Sequence, residues 1–331
     1  MEDPSNKRIS FASVILLFVF LLFSCSQSQK ITHIKLAHGL DQSHSVHKAM
    51  EFMAQRVEEK SKGKLTIDIY SNGQLGTERE CLELLQIGSL GMTKVSASNL
   101  EGFVPEFKVF SFPYIFENEA HRHKVMKSVV GRQLLLSAQK YWLRGLCYYD
   151  SGSRSFYSTN KPILKPEDLI GLKIRTMPSS TAIKMISCFG GSATPISWGE
   201  LYTALQQGIV DGAENNPPSF YLSKHYEICK HYSLDEHSSI PDVLLISTII
   251  WDKLSEEHRK IIQEAALESA DYQITLWRQS TQESLEAVKK AGVKIYHPDK
   301  SLFRQKVTSF YDSYKDNPQI NELVKKIRET N

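Results

Sequence analysis

No Cys-x-x-Cys pair occurs among the five cysteines, which removes the spacing of a zinc ribbon or a dithiol redox centre. Gly-x-Ser-x-Gly, His-Glu-x-x-His, a Walker loop and Gly-x-Gly-x-x-Gly are also missing. The chain therefore carries no linear mark of a serine hydrolase, a zincin, a P-loop NTPase or a dinucleotide enzyme. An enzyme stays open on that ground alone, because most active sites leave no linear trace. Lys and Arg never cluster with interleaved aromatics, and the net charge is only +3, so nucleic acid is not an expected partner. His44 and His47, with His38 nearby, lack a carboxylate at metal-ligand spacing, so no metal or cofactor is expected. Long apolar runs are absent apart from Val14–Phe23, which is short for a bilayer span.

That run follows the basic pair Lys7-Arg8 and precedes Ser24-Cys25, the order of an export signal. Leu22-Phe23-Ser24-Cys25 is similar to a lipobox, in which Cys25 is lipidated and becomes the first residue of the mature chain. The expected division is a lipoprotein signal over 1–24, a polar tether over 25–30, and a soluble domain held at a membrane face. Loss of 1–24 removes Glu2, Asp3, Lys7 and Arg8, leaving the net charge unchanged. Of the remaining cysteines, Cys81 and Cys188 sit in apolar helical patterns. Buried free thiols are expected, although an exported chain could form disulfides among Cys81, Cys147, Cys188 and Cys229.

The length allows two α/β lobes, and 41% hydrophobic residues allow packed cores. Alternation predicts strands at 31–37, 65–69 and 92–97. Helical spacing of Val46, Ala49, Met50, Met53 and Val57 predicts a helix over 45–61. Thr77 and Glu80 form a capping box opening a helix to about Leu85, and Ser197 and Glu200 form another, with its helix running to about Gln207. Helical patterns fill 118–142, and 146–149 is extended. A second lobe starts near Ser151-Gly152-Ser153, a small-residue cluster suited to a hinge. Strands at 173–176 and 193–196 flank a helix over 179–189, which Gly190-Gly191 ends. The β-branched run 242–251 reads as a buried strand. From Ser255 to Lys290 the helical pattern is nearly unbroken, about 50 Å at 1.5 Å per residue. It is long enough to bridge two lobes; two stacked helices with a kink are the alternative. A strand at 293–296, a helix at 301–315 and a short last helix finish the chain.

Arg175 lies in the apolar strand Leu172-Lys173-Ile174-Arg175 and, facing inward, needs an anion. A guanidinium fork binds a carboxylate through two parallel hydrogen bonds, which Lys cannot do; a protein Asp or Glu would serve equally. Arg154 sits at the proposed junction and could grip the same anion. Asn215, just before Asn216-Pro217, reads as a turn residue able to display an amide to a carboxylate or a sugar hydroxyl.

Two stretches, Leu172–Arg175 after Gly171, and Trp198-Gly199-Glu200-Leu201 through Asp211-Gly212-Ala213-Glu214-Asn215-Asn216-Pro217, together resemble the signature of the DctP family, the solute-binding proteins of TRAP transporters. Asn72-Gly73-Gln74-Leu75-Gly76-Thr77-Glu78-Arg79-Glu80 and Phe112-Pro113-Tyr114 resemble further landmarks of that family, and the likeness runs from Leu36 to about Tyr311. The resemblance implies a periplasmic binding protein-like α/β fold, with two lobes, a hinge, a long bridging helix and the ligand in the interlobe cleft. On this pattern lobe I takes 31–151 and 240–279, and lobe II takes 152–239 and 280–331. It implies that Arg175 and Arg154 hold a carboxylate, that Asn215, Glu78 and His38 take polar groups, and that Trp198 lines the cleft. The implied role is to capture a small organic carboxylate in the periplasm and deliver it to one small and one large membrane subunit.

Ser96 stands where sialic-acid binders of the family tend to carry Glu, which counts against sialic acid. The openings at Leu36–Lys48 and Cys81–Thr93 look most like the uronate-binding branch, so D-glucuronate or D-galacturonate is the expected ligand, with C4-dicarboxylates, 2-oxo acids and sialic acid as alternatives. An enzyme acting on a carboxylated sugar, using Glu78 and His38 as acid and base, is the competing class, and a binding protein of an ABC or signalling system is a third.

Overall fold

The computed structural model describes residues 31–330. The expected signal over 1–24, the lipidation site Cys25 and the tether lie outside these residues. In chain order the strands are β1 Thr32–Ala37, β2 Leu65–Tyr70, β3 Met92–Ser96, β4 Leu143–Tyr149, β5 Arg154–Ser158, β6 Lys173–Thr176, β7 Ser192–Pro195, β8 Gly212–Asn215, β9 His231–Ser238, β10 Asp242–Ser247 and β11 Lys294–Tyr296. The α-helices are α1 Ser45–Ser61, α2 Glu78–Gln86, α3 Ala97–Leu100, α4 Glu119–Lys127, α5 Val129–Ser137, α6 Ser180–Phe189, α7 Leu201–Gln206, α8 Pro217–Leu222, α9 Thr248–Lys253, α10 Glu256–Lys290, α11 Lys300–Asp312 and α12 Pro318–Arg328.

These strands form two sheets, one ordered β2-β1-β3-β10-β4 and the other β11-β9-β5-β8-β6-β7. In the first, β1, β2 and β3 run parallel, and β10 is antiparallel to both β3 and β4. In the second, β6 is parallel to β7 and β8, while β5 is antiparallel to β8 and β9. The parallel pairs carry crossover helices, as an α/β architecture requires. The chain passes from β4 to β5 through 150–153 and returns from β9 to β10 through 239–241, so two short crossings join two lobes.

Local chemistry sets several element ends. Thr77 Oγ1 accepts from Glu80 N, and Glu80 Oε2 accepts from Thr77 N at 2.7 Å, so the expected capping box forms. Gly190 ends α6 in the left-handed region at φ 96, where a side chain would be strained. The box expected at Ser197 does not form: its side chain makes no cap bond, and Trp198–Glu200 is a 3-10 turn leading into α7. The apolar run from 242 is a strand only to Ser247. It turns there into α9, because short apolar runs suit a buried strand or a helix face equally.

The bridging helix is continuous from Glu256 to Lys290, capped by Ser255 Oγ accepting from His258 N. It packs on α1 of the first lobe and α8 of the second. Buried Gln273 on this helix clamps the first crossing: its Oε1 accepts from Asp150 N at 2.9 Å and its Nε2 donates to Asp150 O at 2.8 Å. The Asp150 carboxylate takes Arg122 Nε and Nη2 and His123 Nε2. Gly152, in the same crossing, has φ +58, and a Cβ there would stand 2.9 Å from Trp277 Nε1 of the helix. A second tie lies at Tyr114, which holds φ 54. Its N–H donates to His237 O at 2.8 Å and its hydroxyl to Asp235 O at 3.1 Å, both on β9.

The lobe limits, 31–151 with 240–279 and 152–239 with 280–331, stay a proposal about which segments move together. Helix α11 packs on α6 and β9 beside the second sheet, whereas α12 rests on the 3-10 segment Pro105–Ser111 and on α5, beside the first. That position argues for assigning α12 to lobe I.

Candidate functional site

Strand ends and crossing segments from both lobes meet at one small cavity. Gly39, Leu40, Glu78, Lys94, Ser96, Asn99 and Asp242 border it from the first lobe; Arg154, Arg175, Met177, Trp198, Asn215, Asn216 and Ser219 border it from the second. Ser151 and Ile240, one in each crossing, complete it. Ligands of open α/β sheets bind at the carboxyl ends of strands, and Asn215, the last residue of β8, and Arg175, near the end of β6, fit that rule.

Arg175 is buried on β6, with its Nε donating to Ile196 O at 2.9 Å. Its Nη1 is buried without a hydrogen-bond partner, and among the described residues no carboxylate lies within ion-pairing distance. Burial, reinforced by the nearby Arg154, lowers its pKa to about 10, so it is still a cation at neutral pH. A buried charge without a partner is costly, and an anion in the cavity would relieve that cost. The guanidinium carbon stands 5.8 Å from the centroid of the Trp198 ring.

Arg154 plays a different part from the one its position at the junction suggests. It forms a buried ion pair with Glu214: Nε and Nη2 donate to the carboxylate, Nη2 also donates to Glu214 O at 2.7 Å, and Nη1 donates to Asn215 Oδ1 at 2.8 Å. Burial alone would raise the Glu214 carboxyl, but Arg154 and His237 outweigh it and hold the pKa at about 2. His237 lies 3.6 Å from Glu214 and bonds Asp235 at 2.7 Å. Burial opposes its charge, yet the two carboxylates lift its pKa to about 9. The charges of Arg154 are thus met by protein, and its remaining donor holds Asn215 Oδ1.

Asn215 is in β8 rather than in a turn, paired with Ser155 of β5. Its Oδ1 accepts from Arg154 and from Asn216 N, which leaves Nδ2 as the group offered to the cavity. Trp198 is half-buried, and a Cβ at Gly39 of the opposite lobe would meet its Cδ1 at 3.7 Å. One ring of the second lobe therefore faces bare backbone of the first.

Glu78 borders the cavity from the first turn of α2. Its Oε1 accepts from Lys94 Nζ at 3.0 Å, and its Oε2 accepts from Ser96 N at 3.0 Å and from Asn99 Nδ2 at 2.6 Å. Burial works against its charge, but Lys94 and these hydrogen bonds prevail and keep the carboxyl below its usual range. Lys94 also donates to Asp242 at 3.2 Å. For Asp242, burial and the neighbouring Glu78 charge win, and its pKa is raised. Sequence reasoning missed Lys94 and Asp242. The signal was a lysine inside the apolar strand Met92–Ser96, the same signal that singled out Arg175.

His38 does not border the cavity. Leu40 N donates to its Nδ1 at 3.1 Å, so the proton sits on Nε2, which meets His47 Nδ1 at 2.9 Å. His47 Nε2 in turn faces Glu51 at 3.2 Å. Both ring nitrogens of His38 are engaged, and burial, with help from Lys94, lowers its pKa to about 2. Its part is to shape the 38–40 backbone, which the cavity does touch.

Three buried polar atoms without a partner belong to residues of this one cavity: Arg175 Nη1, Ser151 Oγ and Asn99 Oδ1. Because Asn99 Nδ2 is committed to a carboxylate, its Oδ1 assignment is fixed by chemistry. A cationic donor, a hydroxyl and an acceptor converge on the same space. That set suits a molecule carrying one carboxylate and several hydroxyls.

Residues 36–317 match the model of the bacterial extracellular solute-binding proteins, family 7 (DctP). A solute-binding protein of Chromohalobacter salexigens is 34% identical over 98% of both chains. Among solved structures, a TRAP periplasmic solute-binding protein from Bradyrhizobium sp. BTAi1, in complex with D-galacturonate, is 36% identical with a TM-score of 0.88, over 90% of this chain and 99% of its own. Another from Chromohalobacter salexigens, with bound D-glucuronate, is 34% identical with a TM-score of 0.88, over 90% of this chain and 100% of its own. The chain belongs to family 7 of the bacterial extracellular solute-binding proteins.

Proposed function

We propose that this solute-binding protein captures a hexuronate, D-glucuronate or D-galacturonate, between its lobes and delivers it to the membrane subunits of a TRAP transporter. The observation that carries the reading is Arg175, a buried cation on the cavity with an unpartnered donor. The sugar carboxylate takes that donor. Asn215 Nδ2, Ser151 Oγ and Asn99 Oδ1 meet hydroxyls, and the apolar face of the ring lies on Trp198. Solved relatives holding galacturonate and glucuronate support the same ligand class. Closing is favoured because the closed form gathers these contacts from both lobes at once.

Charge separates this reading from a C4-dicarboxylate. Opposite Arg175, the first lobe presents Glu78 and Asp242 sharing one ammonium, Lys94. A second ligand carboxylate would face that acid-rich wall, whereas hydroxyls can donate to it. Turnover is not part of the proposal: both oxygens of Glu78 already accept hydrogen bonds and His38 lies off the cavity, so neither suits the acid–base role. Anchoring through Cys25 belongs to the same proposal, as a tether that keeps the protein beside its permease.

A thermal-shift panel of D-glucuronate, D-galacturonate, sialic acid, succinate, malate and 2-oxo acids tests the ligand. A ligand at a hundred times its Kd adds about 2.7 kcal/mol, a shift of a few degrees. Stabilisation by a uronate, recovered unchanged after incubation, is the expected result. A response to dicarboxylates alone would overturn the sugar, and a changed product would overturn the binding-protein role.

A further inference from the structure

We propose that the cleft accepts a short oligouronide, with one sugar acid in the cavity of Arg175 and a second seated at the cleft mouth. This rests on the uronate reading above and extends it from a monosaccharide to a chain of at least two units. A second space of about 360 Å³ lies between the lobes, and Gly39, Glu78, Asn99 and Trp198 border both it and the inner cavity. The two spaces are thus neighbours along one groove, with the Trp198 ring bordering each.

The mouth repeats the chemistry of the interior. Inside, a guanidinium stands 5.8 Å from an aromatic ring, Arg175 with Trp198. At the mouth Arg79 stands 5.5 Å from the ring of Phe103, and both border the outer space. An aromatic ring beside a cation is a pairing that suits the apolar ring and the carboxylate of a uronic acid. Arg79 bonds Glu83 at 3.0 Å, but both side chains are at least half exposed, at 74% and 50%. Such a solvent-screened pair contributes little and yields readily to another carboxylate. Asn99 Oδ1, buried and unpartnered, stands where the spaces adjoin and can accept from a hydroxyl beside the glycosidic link. The wall near it includes Gly199, where a Cβ would meet nothing within 4 Å. A second ring therefore finds open space beside Trp198.

Calorimetry on the purified chain with galacturonate and digalacturonate decides it. Digalacturonate is expected to bind at least as tightly as galacturonate. Arg79→Gln should weaken digalacturonate by about tenfold and leave galacturonate within about twofold, since only the dimer reaches that charge-assisted contact. Phe103→Ala should show the same selectivity through the ring face. Galacturonate binding with digalacturonate excluded would overturn the extended groove alone, as would equal losses for both sugars in Arg79→Gln. Failure of both sugars to bind would overturn the uronate reading, and the oligouronide with it.

Discussion

Arg154 Nη1 donates to Asn215 Oδ1 across 2.8 Å, and this bond decides which end of the Asn215 amide is left for the cavity. With Oδ1 held by Arg154 and by Asn216 N, the Nδ2 donors are turned to the cavity. Arg154 is itself fixed by Glu214, and Glu214 by His237. A line of four buried side chains thus ends in one aimed amide, and its first member, His237, does not border the cavity.

Glu214→Gln should therefore unfold more easily. Removing one partner from a buried ion pair costs about 3–5 kcal/mol, because the other charge is left uncompensated. Urea unfolding measures this; a loss of under about 1 kcal/mol, the size of a surface pair, would show the pair to be worth no more than one at the surface.

The same cluster makes stability depend on pH from both sides. Glu214 is depressed to about 2 from 4.5, so its contribution is present above 4.5 and is lost as pH falls through about 2. His237 is raised to about 9 from 6.5, so its contribution is full below 6.5 and is lost as pH rises through about 9. The melting temperature should fall between pH 6.5 and 9 in the wild type and stay flatter there in His237→Gln. Parallel curves for the two proteins would remove His237 as the cause.

Arg175→Ala should lose most uronate affinity, on the order of 3–5 kcal/mol or more than a hundredfold, as expected for breaking a buried charge pair. Arg175→Lys should recover only part of it, since an ammonium cannot bind a carboxylate through a fork. Equal affinity in Arg175→Ala and the wild type would refute the assignment; titration calorimetry reads both.

Trp198→Ala should weaken uronates more than any dicarboxylate that binds, because stacking acts on a ring face. Proportional losses across both ligand classes would mean that the indole acts by closing the lobes against Gly39 and not by stacking.

Gly152→Ala should lower the melting temperature by a few degrees. A left-handed backbone costs a non-glycine residue about 1–2 kcal/mol, and the added methyl stands 2.9 Å from Trp277 Nε1. An unchanged melting temperature would show that the helix yields at that point.

The elements with strong period or chemical punctuation were legible before the structure. Helix α1 was predicted over 45–61 and is found there, and the 35-residue bridge showed as a nearly unbroken pattern that turns out to be one helix and not two with a kink. Strands β5, β8 and β9 were not read, because polar residues such as Arg154, Glu214 and Asp235 interrupt them. Those residues are buried against one another, a pairing that no local window can show. The same limit explains the site. Arg175 stood out as a charge in an apolar strand, Asn215 by its place before Asn216-Pro217, and Trp198 through resemblance. That Arg154 serves Glu214, and that Lys94 joins Glu78 to Asp242, depends on contacts between residues 60 and 148 positions apart. His38 misled for a related reason: its partner His47 is in the first turn of the next helix, and the bond hides both rings below the surface that Gly39 presents.

Tyr114 fastens one half to the other by an amide and a hydroxyl on β9, while Gln273 grips Asp150 by both ends of its carboxamide, stiffening the chain where it leaves the first half. The tie at Tyr114 and the stiffened crossing at 150–153 define a line. A body held at two points has one way left to turn, so the jaws should swing like a door on its pins, without sliding or twisting. A single distance across the groove, followed by paired spin labels, should then track the whole stroke, and a second label pair should report nothing independent of the first.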